Sequence, residues 1–353
     1  METARTNEPQ VTVVVTPRER FSYTRESLES IYDYTEIPFN LVYVDGGSPQ
    51  HIQQYLADKA QEKDFQRIRV DRYLSPNQSR NLGLRQVKTK YVVFIDNDVI
   101  VTPGWLKGLV ECANETGAAV VGPVICIGTP IHDMIHNPGG SISIKEEQVG
   151  EEQIRRFYHK CHFKRRVNDV RDRLQRAECD YVEFHCMLAR TDIFEKTGPL
   201  DEGLFSTREH LDFCMMVARA GGKIYAERQV IVTYVPGPPV QWSDLGFFML
   251  RWSDAWDLAS LEHFREKWDL TEDHYFQSRY KKLGFRRHKA YVKPLAKSLL
   301  FGQRSLTLEK ILIRLDRMVN RYVSDQYARS QRQSAPTQGL EMQAFPASTN
   351  PSK

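Results

Sequence analysis

The chain has 353 residues, 41% of them hydrophobic, so it is long enough to bury one large core or two ordinary ones. Its net charge of +4 is too small to indicate nucleic-acid binding, and we expect no nucleic-acid partner. No apolar run approaches the roughly 18 residues of a transmembrane helix, and residues 1–10 lack the apolar core of a signal peptide. The six cysteines are not spaced as disulfide-bonded cysteines are. These features predict a cytoplasmic protein with reduced thiols.

The first 127 residues alternate between apolar runs and amphipathic segments. The apolar runs predict five buried strands, at residues 11–16, 39–44, 68–70, 91–95 and 120–127. The segments between them predict four helices, at residues 24–34 and 52–63, from Ser75, and from Thr102 to Gly117. Ser75, Pro76 and Gln78 have the pattern of a capping box with proline at the first helical position. This alternation is typical of a doubly wound parallel sheet.

The second half is less regular. Residues 154–176 are markedly basic and predict a surface helix, residues 181–188 a strand, residues 191–198 and 209–221 two helices, and residues 223–226 and 230–235 two more strands. Four tryptophans between residues 242 and 268 predict the core of a helical cap, and residues 308–322 keep the period of an amphipathic helix. The polar composition after residue 334 predicts a disordered tail.

Two carboxylates follow the central predicted strand. Asp96 and Asp98 are two residues apart, so in an extended chain both side chains point the same way. Open α/β sheets bind ligands at the carboxyl ends of their strands. Hard cations such as Mg²⁺ or Mn²⁺ take oxygen ligands and share them with substrate phosphates. The pair therefore predicts a site for Mn²⁺ or Mg²⁺; the alternative is a solvated loop after a strand.

Several short segments, taken in their order along the chain, resemble the family 2 glycosyltransferases, which are nucleotide-sugar enzymes with a GT-A fold. The resemblance covers about residues 10–236 and rests on the ordered set rather than on one motif. The segments are Val11–Thr16, Asp45-Gly46-Gly47-Ser48, Ser79-Arg80-Asn81-Leu82-Gly83, Phe94-Ile95-Asp96-Asn97-Asp98, Gly198-Pro199-Leu200-Asp201-Glu202 and Arg208-Glu209-His210-Leu211-Asp212-Phe213-Cys214. The resemblance implies a mostly parallel Rossmann-like central sheet flanked by helices, with a C-terminal helical extension.

The resemblance implies roles for individual residues of the donor half. Asp45 would hold the base or ribose of the nucleotide, and Asp96 and Asp98 would match the DxD motif that holds the metal on the diphosphate. The residues expected to bind the donor are Thr16, Pro17, Arg18, Asp45, Arg80, Asn81, Asp96 and Asn97. A divalent cation at this place neutralises the negative charge that develops on a departing nucleoside diphosphate.

The acceptor half departs from the family pattern. Glu209, His210 and Asp212 match the Glu-Asp-x-Asp-like segment that supplies the catalytic base, but His210 stands where the family has the aspartate. Glu209 and Asp212 are three residues apart on a helix and can approach one site, whereas His210 points about 100° away from Glu209. We favour Glu209 as the base, with His210 as the alternative.

A second departure concerns the metal. Family members carry a histidine shortly after the last strand as a third ligand, whereas residues 232–236 of this chain contain none. His185 is a candidate substitute. Zinc ligation is a further alternative for the histidines and cysteines between residues 159 and 186, but their spacing matches no C-x₂-C or H-x₃-H scheme.

The sequence thus predicts a cytoplasmic, metal-assisted, inverting glycosyltransferase that moves a sugar from a UDP-linked or other nucleotide-sugar donor to a saccharide, lipid or protein acceptor. The alternatives are a GT-A-like binding or scaffold protein without turnover, and a nucleotidyltransferase, whose glycine-rich loop is missing at residues 17–20. The predicted organisation is a flexible segment 1–10, a GT-A domain 11–240 with donor half 11–127 and acceptor half 180–236, a basic helical cap 241–330 and a disordered tail 334–353.

The C-terminal region also suggests a partner. Residues 274–308 contain nine lysines and arginines and no acidic residue, and an amphipathic helix follows them. A basic segment beside an amphipathic helix is typical of peripheral contact with an anionic membrane. We therefore expect the protein to be able to dock on the inner face of a membrane.

Overall fold

The computed structural model describes residues 8–161, 164–236, 241–303 and 305–334. The predicted tail after residue 334 and most of the predicted flexible segment 1–10 lie outside these residues. Twelve strands occur in the described part of the chain: β1 Val11–Thr16, β2 Asn40–Gly46, β3 Gln66–Val70, β4 Tyr91–Asp96, β5 Val99–Ile100, β6 Val120–Ile127, β7 Ile135–Asn137, β8 Gly140–Val149, β9 Glu152–Cys161, β10 Ala177–Glu178, β11 Cys186–Arg190 and β12 Ile224–Tyr234.

Thirteen α-helices accompany these strands in the same described residues. They are α1 Thr24–Asp33, α2 Gln50–Lys63, α3 Pro76–Leu84, α4 Trp105–Thr116, α5 Val167–Val170, α6 Ile193–Thr197, α7 Glu209–Arg219, α8 Trp242–Arg251, α9 Asp254–Lys267, α10 His274–Tyr280, α11 Phe285–Arg287, α12 Lys293–Leu299 and α13 Leu306–Ser334. A 3₁₀ turn follows α5 at Arg171–Arg173, and a π-helical turn joins α11 to α12 at His288–Val292. None of the helices in the described segments combines the length and the apolar content that crossing a bilayer requires.

One large sheet organises the molecule. Its strand order is β10-β12-β6-β11-β4-β1-β2-β3, with β5 paired to β12 and β7 paired to β6. Strands β1, β2, β3 and β4 are parallel to their neighbours in this set, and β6 is parallel to β12, while β11 runs antiparallel between β4 and β6. The predicted fold class is confirmed: a mixed α/β architecture with a mostly parallel central sheet flanked by helices and followed by a C-terminal helical region.

Both faces of the sheet are buried, which explains the nearly continuous apolar runs of its strands. Val11, Val13 and Val15 of β1 belong to one hydrophobic core, and Val14 belongs to the core on the opposite face. Because β1 and β4 are parallel and in register from Val11 with Tyr91 to Thr16 with Asp96, their carboxyl ends meet at one edge of the sheet. The antiparallel β11 brings its first residues to that same edge.

Four predictions about local structure were wrong. The strand predicted at residues 181–188 is β11 at Cys186–Arg190, and residues 182–185, with His185, lie in the loop before it. Residues 154–161 are not helical but belong to β9, which pairs with β8 in a separate two-stranded ribbon, and Phe157 is buried. Residues 224–234 form one strand with a bulge between Glu227 and Ile231, not two strands. Helix α4 begins at Trp105 rather than after a Thr102 cap, because the Thr102 hydroxyl donates to the carbonyl of Ile231 on β12.

The C-terminal helices pack on the sheet edge. Trp252, Trp256 and Trp268 are buried as expected of a helical cap, whereas Trp242 is exposed. The capping box at the start of α3 is confirmed, since Ser75 Oγ accepts from the amide of Gln78 and the Gln78 side chain accepts from the amide of Ser75. The domain boundaries given above stay predictions.

Candidate active site

The end of β4 carries a fully buried carboxylate with three cationic or potentially cationic neighbours. Arg18 Nη1 lies 3.2 Å from Asp96 Oδ2, Arg80 Nη2 lies 3.2 Å from Asp96 Oδ1, and His185 Nδ1 lies 3.1 Å from Oδ2. Burial opposes ionisation of Asp96, but His185, Arg18 and Arg80 together hold its pKa below the ordinary value. Asp96 is therefore an anion at neutral pH that organises the loops around it.

A glycine in α3 allows Arg80 to reach this carboxylate. Gly83 lies against β1, and a Cβ at this position would be 2.2 Å from Cγ1 of Val14. Only glycine permits such close approach of a helix to a strand, so Gly83 sets the position of the turn that carries Arg80. Arg80 is also buried, and its guanidinium lies 4.1 Å from the ring centre of Phe184.

Asn97, between the two acids, holds the loop after β1. Its side-chain oxygen accepts from the amide of Arg18, and its amide group donates to the carbonyl of Arg20 and to the hydroxyl of Thr24. Thr16, Pro17 and Arg18 are buried beside it. The predicted donor residues of β1 and β4 are thus brought together, with Asn97 positioning the loop rather than presenting its own side chain.

Asp98 differs sharply from Asp96. It is fully buried, and neither carboxylate oxygen has a hydrogen-bond partner among the described residues. Burial raises its pKa well above the ordinary value, and the neighbouring Asp96 and Glu19 add to that effect. A buried carboxylate with two free oxygens beside a second carboxylate fits a divalent cation, because the positive ion would compensate both the lost hydration and the repulsion.

Asp45 lies at the same edge, at the end of β2. Its Oδ1 is 2.9 Å from Nη1 of Arg69 and accepts from the amide of Ser48, while its Oδ2 has no partner in the described part of the chain. One buried oxygen therefore stays free to accept a hydrogen bond. Asn81, by contrast, is bonded to both the amide and the carbonyl of Leu200, so it anchors the loop before α7 and lies behind the site.

A cavity of about 190 Å³ reaches Arg18 and His185, the partners of Asp96, and is rich in cationic and imidazole groups. Asp45, Asp96 and Asp98 do not themselves line it. Its lining comprises Arg18, His136, His159, Tyr181, Glu183, Phe184, His185, Ser206, Thr207, Arg208, Glu209, His210, Trp252 and Arg286. Most of these side chains were not predicted from the sequence. They come from β7, β9 and α11, from the residue after α8, and from the segments that precede β11 and α7. The run of basic residues after His274 was the signal for Arg286, but it did not indicate that this exposed arginine lines the cavity.

The start of α7 supplies two groups to this cavity. Glu209 is buried, with Oε1 3.5 Å from Nη2 of Arg251, and its Oε2 has no partner among the described residues. Burial opposes ionisation of Glu209, but Arg251, His210 and Arg80 hold its pKa below the ordinary value. Burial lowers the pKa of His210, although Glu183 and Glu209 favour its charged form. Both groups can therefore accept a proton at neutral pH.

Asp212 was predicted to be a catalytic residue beside Glu209, but its carboxylate does not line the cavity. Asp212 Oδ2 lies 2.8 Å from Nζ of Lys267, and its Oδ1 accepts from the indole of Trp268, so this carboxylate ties α7 to α9. The expectation that Glu209 and Asp212 approach one site is therefore wrong. Glu209 and His210 both line the cavity, and whether they face the same acceptor hydroxyl stays a prediction.

Residues 12–198 match the model of the family described as "Glycosyl transferase family 2". This match covers more than half of the 353 residues, and the chain belongs to that family. The recognition made from the ordered motifs is confirmed.

Two curated proteins illustrate the relationship. The "Pre-mycofactocin glycosyltransferase" of Mycobacterium tuberculosis (strain H37Rv) is 25% identical over 229 residues, which are 64% of this chain and 42% of that protein. An "Uncharacterized glycosyltransferase" of Rickettsia bellii is 27% identical over 89 residues, 25% of this chain and 13% of that protein. The chain thus spans less than half the length of these curated relatives.

Similar solved structures include GalNAc-T7 with UDP, GalNAc and Mn²⁺, at a TM-score of 0.48 and 15% identity over 80% of this chain and 58% of that one. Another is S. aureus TarS 1-349 in complex with UDP, at a TM-score of 0.45 and 16% identity over 91% of this chain and 92% of that one.

Proposed function

We propose that this protein transfers a sugar from a nucleotide-sugar donor to an acceptor hydroxyl, with a UDP-sugar as the first donor to test. The observation that carries the proposal is the position of the cavity. It lies between Arg18 and His185, which contact Asp96 at the end of β4, and Glu209 and His210 at the start of α7. Arg208 and Arg286 also line it. Arginines suit an anionic diphosphate because they offer several donors in a planar fork.

The chemistry would be a single displacement with inversion. The acceptor oxygen attacks the anomeric carbon, the bond from that carbon to the diphosphate oxygen breaks, and the diphosphate leaves with the electron pair. The acceptor proton passes to Glu209 Oε2, which is free of other partners among the described residues. Arg251, 3.5 Å from the opposite oxygen, favours the ionised form of this carboxylate together with His210 and Arg80.

Asp98 and Asp96 are the residues that would hold Mn²⁺ or Mg²⁺ in this enzyme. Such an ion supplies positive charge to the departing diphosphate. Asp98 has both oxygens available, whereas the oxygens of Asp96 lie within 3.2 Å of Arg18 and Arg80. Metal binding would therefore have to draw Asp96 away from at least one arginine.

Calorimetric titration of UDP and UDP-sugars, with and without Mn²⁺, tests the donor site. Asp98→Ala is expected to lose at least about tenfold in Mn²⁺-dependent donor affinity, because it removes the free carboxylate. Without metal, the Asp98→Ala variant is expected to be no less stable to unfolding than the parent, because the buried Asp98 carboxylate has no partner among the described residues and burying it costs free energy. Asp33→Ala, an exposed change on α1, is the matched control.

Equal Mn²⁺-dependent binding by Asp98→Ala and the parent would remove the metal assignment. Lack of any nucleotide binding by the parent would contradict the proposed activity. Binding of a nucleotide-sugar without turnover on saccharide, lipid or protein acceptors would instead support a sugar-nucleotide-binding protein.

We also propose that the C-terminal helices dock on an anionic lipid surface. Helix α13 turns polar residues inward: Asn320 is buried and bonds to the carbonyl of Met249 and the amide of Asp254, and Ser324 is buried as well. Its apolar side chains lie outward, joined by those of α12 and the following turn. The exposed set is Leu295, Leu299, Phe301, Leu306, Ile311, Leu315, Met318, Val319 and Tyr322.

The charge of this surface favours lipid over a second copy of the chain. Lys293 and Lys297 are exposed beside Leu295 and Leu299, in the stretch of nine basic residues that holds no acid. Two copies of such a surface would repel each other, whereas anionic headgroups would attract it. Exposed apolar side chains that enter the headgroup region add to this attraction.

A further inference from the structure

Three side chains on the wall of the cavity place metal-ligating atoms close together. His136 comes from β7, and Glu183 and His185 come from the segment before β11. Nε2 of His136 lies 3.4 Å from Oε2 of Glu183, and Nε2 of His185 lies 3.7 Å from the same oxygen. One ligand atom from each of the three residues lies within 4.8 Å of the others.

These separations suit a single ion. With metal–nitrogen and metal–oxygen bonds of about 2.1 Å and tetrahedral angles, neighbouring ligand atoms lie roughly 3.4 Å apart. The two distances to Glu183 are close to that value, and a small rotation of one imidazole closes the remaining gap between the histidines. Two imidazoles and one carboxylate are a donor set that suits Zn²⁺ and Co²⁺ and is softer than the all-oxygen set preferred by Mg²⁺.

The groups behind this cluster support it as a built site. Nδ1 of His185, the ring nitrogen that faces away from Glu183, lies 3.1 Å from Oδ2 of Asp96, which is ion-pair distance, although the ring is not turned for a hydrogen bond. A carboxylate on the far nitrogen of a histidine ligand fixes the ring and makes the other nitrogen a better donor. His185 is 2% exposed, and its ring stacks on Tyr234 with centroids 4.2 Å apart, so it cannot turn freely.

The cluster also has an open side. The side chains of His136 and Glu183 are 29% and 16% exposed, and all three residues line the cavity shared with Glu209 and His210. An ion held by three protein ligands would keep a position for a water or a substrate oxygen on that side. Entry and exchange of the ion need no opening of the fold.

We infer that His136, Glu183 and His185 form a binding site for a borderline divalent cation such as Zn²⁺ or Co²⁺, separate from the Asp96–Asp98 pair. The site does not depend on the proposed sugar transfer. Asp96 has a different role in the two sites. In the Asp96–Asp98 pair it would bind the ion directly, whereas in the cluster it contacts the ring nitrogen of His185 that does not face the ion. Asp98 belongs to the pair alone.

Titration of the metal-free full chain with Co²⁺, without nucleotide, tests the inference, because the visible absorption of Co²⁺ reports its ligands and geometry. We expect one equivalent to bind with the spectrum of a four- or five-coordinate site with nitrogen ligands. Loss of a group that only supports a ligand costs about 10–100-fold in metal affinity. His136→Ala and Glu183→Gln each remove a ligand and should each lower the affinity by more than that. Asp98→Ala should keep the spectrum of the nitrogen-liganded ion, because Asp98 is not part of the cluster. His51→Ala, a change of an exposed histidine on α2, should bind as the parent does.

Several results would overturn the inference. One is a parent chain that takes up no Co²⁺ or Zn²⁺ at millimolar concentration, which would leave the cluster as a hydrogen-bonded ion pair. Another is unchanged affinity and spectrum in both His136→Ala and Glu183→Gln. Loss of the spectrum in Asp98→Ala would move the ion to the acidic pair. Because no nucleotide is present, failure of the proposed donor binding does not affect any of these outcomes.

Discussion

Glu209 and His210 are neighbours in sequence that reach the same cavity with different partners. Glu209 has one oxygen near Arg251 and one without a partner in the described residues, so it has a defined orientation and a free acceptor. His210 lies beside Tyr181, with ring centroids 5.9 Å apart. Geometry alone therefore admits either as the base, and the electrostatic surroundings of each distinguish them.

Glu209→Gln is expected to keep donor affinity and to lose about 10²-fold or more in turnover, the usual scale of general-base catalysis. Glutamine has the shape of glutamate, so the contact with Arg251 is kept while proton acceptance is lost. His210→Ala should cost far less. Steady-state rates with a working acceptor, together with donor affinity by calorimetry, measure both changes; the opposite ranking would assign the proton transfer to His210.

The pH dependence of turnover gives a second measure of the same assignment. A base works only when deprotonated, and the surroundings of Glu209 hold its pKa below the ordinary 4.5. If Glu209 is the base, the turnover of the parent should stay level from pH 8 down to about pH 5. If His210 is the base, turnover should decrease as the pH falls below 6.5, because burial places the pKa of His210 below that value.

The sequence predicted which acidic residues lie at the site, but it did not predict which side chains contact each of them. Asp96 and Asp98 were expected to lie on the same side of one strand end, since residues two apart in a strand point the same way. Instead β4 ends at Asp96, and Asp98 lies in the turn before β5, with neither the arginines nor the histidine that hold Asp96. Those partners come from residues 18, 80 and 185, and their approach depends on the tertiary fold rather than on local spacing.

At the scale of elements, β1, β2, β4 and β6 were predicted well, because continuous apolar runs have few alternatives. The failure at residues 154–161 has a physical reason. Strand β9 pairs only with β8, and Phe157 alone of its residues is buried, so its sequence carries no strong period of two. Only the part of the hairpin around Phe157 packs on the core, and the rest has the composition of a basic surface helix.

The attachment of α13 gives a test at the element scale. Arg287 is fully buried and pairs with Asp316 of α13 and with Asp254, and His288 Nε2 lies 3.1 Å from Asp316. Removing one partner of a buried ion pair leaves an uncompensated charge, so Asp316→Asn should lower the free energy of unfolding by roughly 3 kcal/mol. Urea unfolding measures this change.

Asp325→Asn, an exposed change on the same helix, is the control and should stay within about 0.5 kcal/mol of the parent. Burial opposes ionisation of Asp316, but His288 and Arg287 hold its pKa below 3.8. The contribution of the carboxylate is therefore complete above pH 3.8 and is lost as the pH falls below it. Equal losses in both variants at neutral pH would contradict the role given to Asp316.

At the scale of the whole molecule, the cavity and the basic apolar surface belong to the same C-terminal region. Arg286 lines the cavity and stacks 3.9 Å from the ring centre of Trp252, while α12 begins seven residues later with its lysines exposed. The amphipathic period of α13 was predicted from the sequence, but its orientation was not. Which face of such a helix turns inward depends on partners such as Met249 and Asp254, which lie far away in the chain.

Vesicle sedimentation of the full chain tests this surface as a lipid contact. The parent is expected to bind vesicles rich in phosphatidylserine more tightly than neutral ones, and to lose most of that binding at high salt, where exposed charges are screened. The double change Lys293→Glu and Lys297→Glu should reduce binding at least about tenfold, at roughly 1 kcal/mol for each lysine lost near the membrane. Leu299→Ser with Phe301→Ser should weaken it too, because both apolar side chains would leave the interface.

The control for the lysine variant is Lys107→Glu with Lys196→Glu, which makes the same charge change on helices α4 and α6, away from this surface. If both double variants lose binding equally, the attraction is due to net charge and the C-terminal surface is not its source. If the parent does not bind vesicles at any salt concentration, the lipid contact is wrong. A dimer that sedimentation shows in the parent and not in the Leu299 and Phe301 variant would identify the occupant as a second copy of the chain.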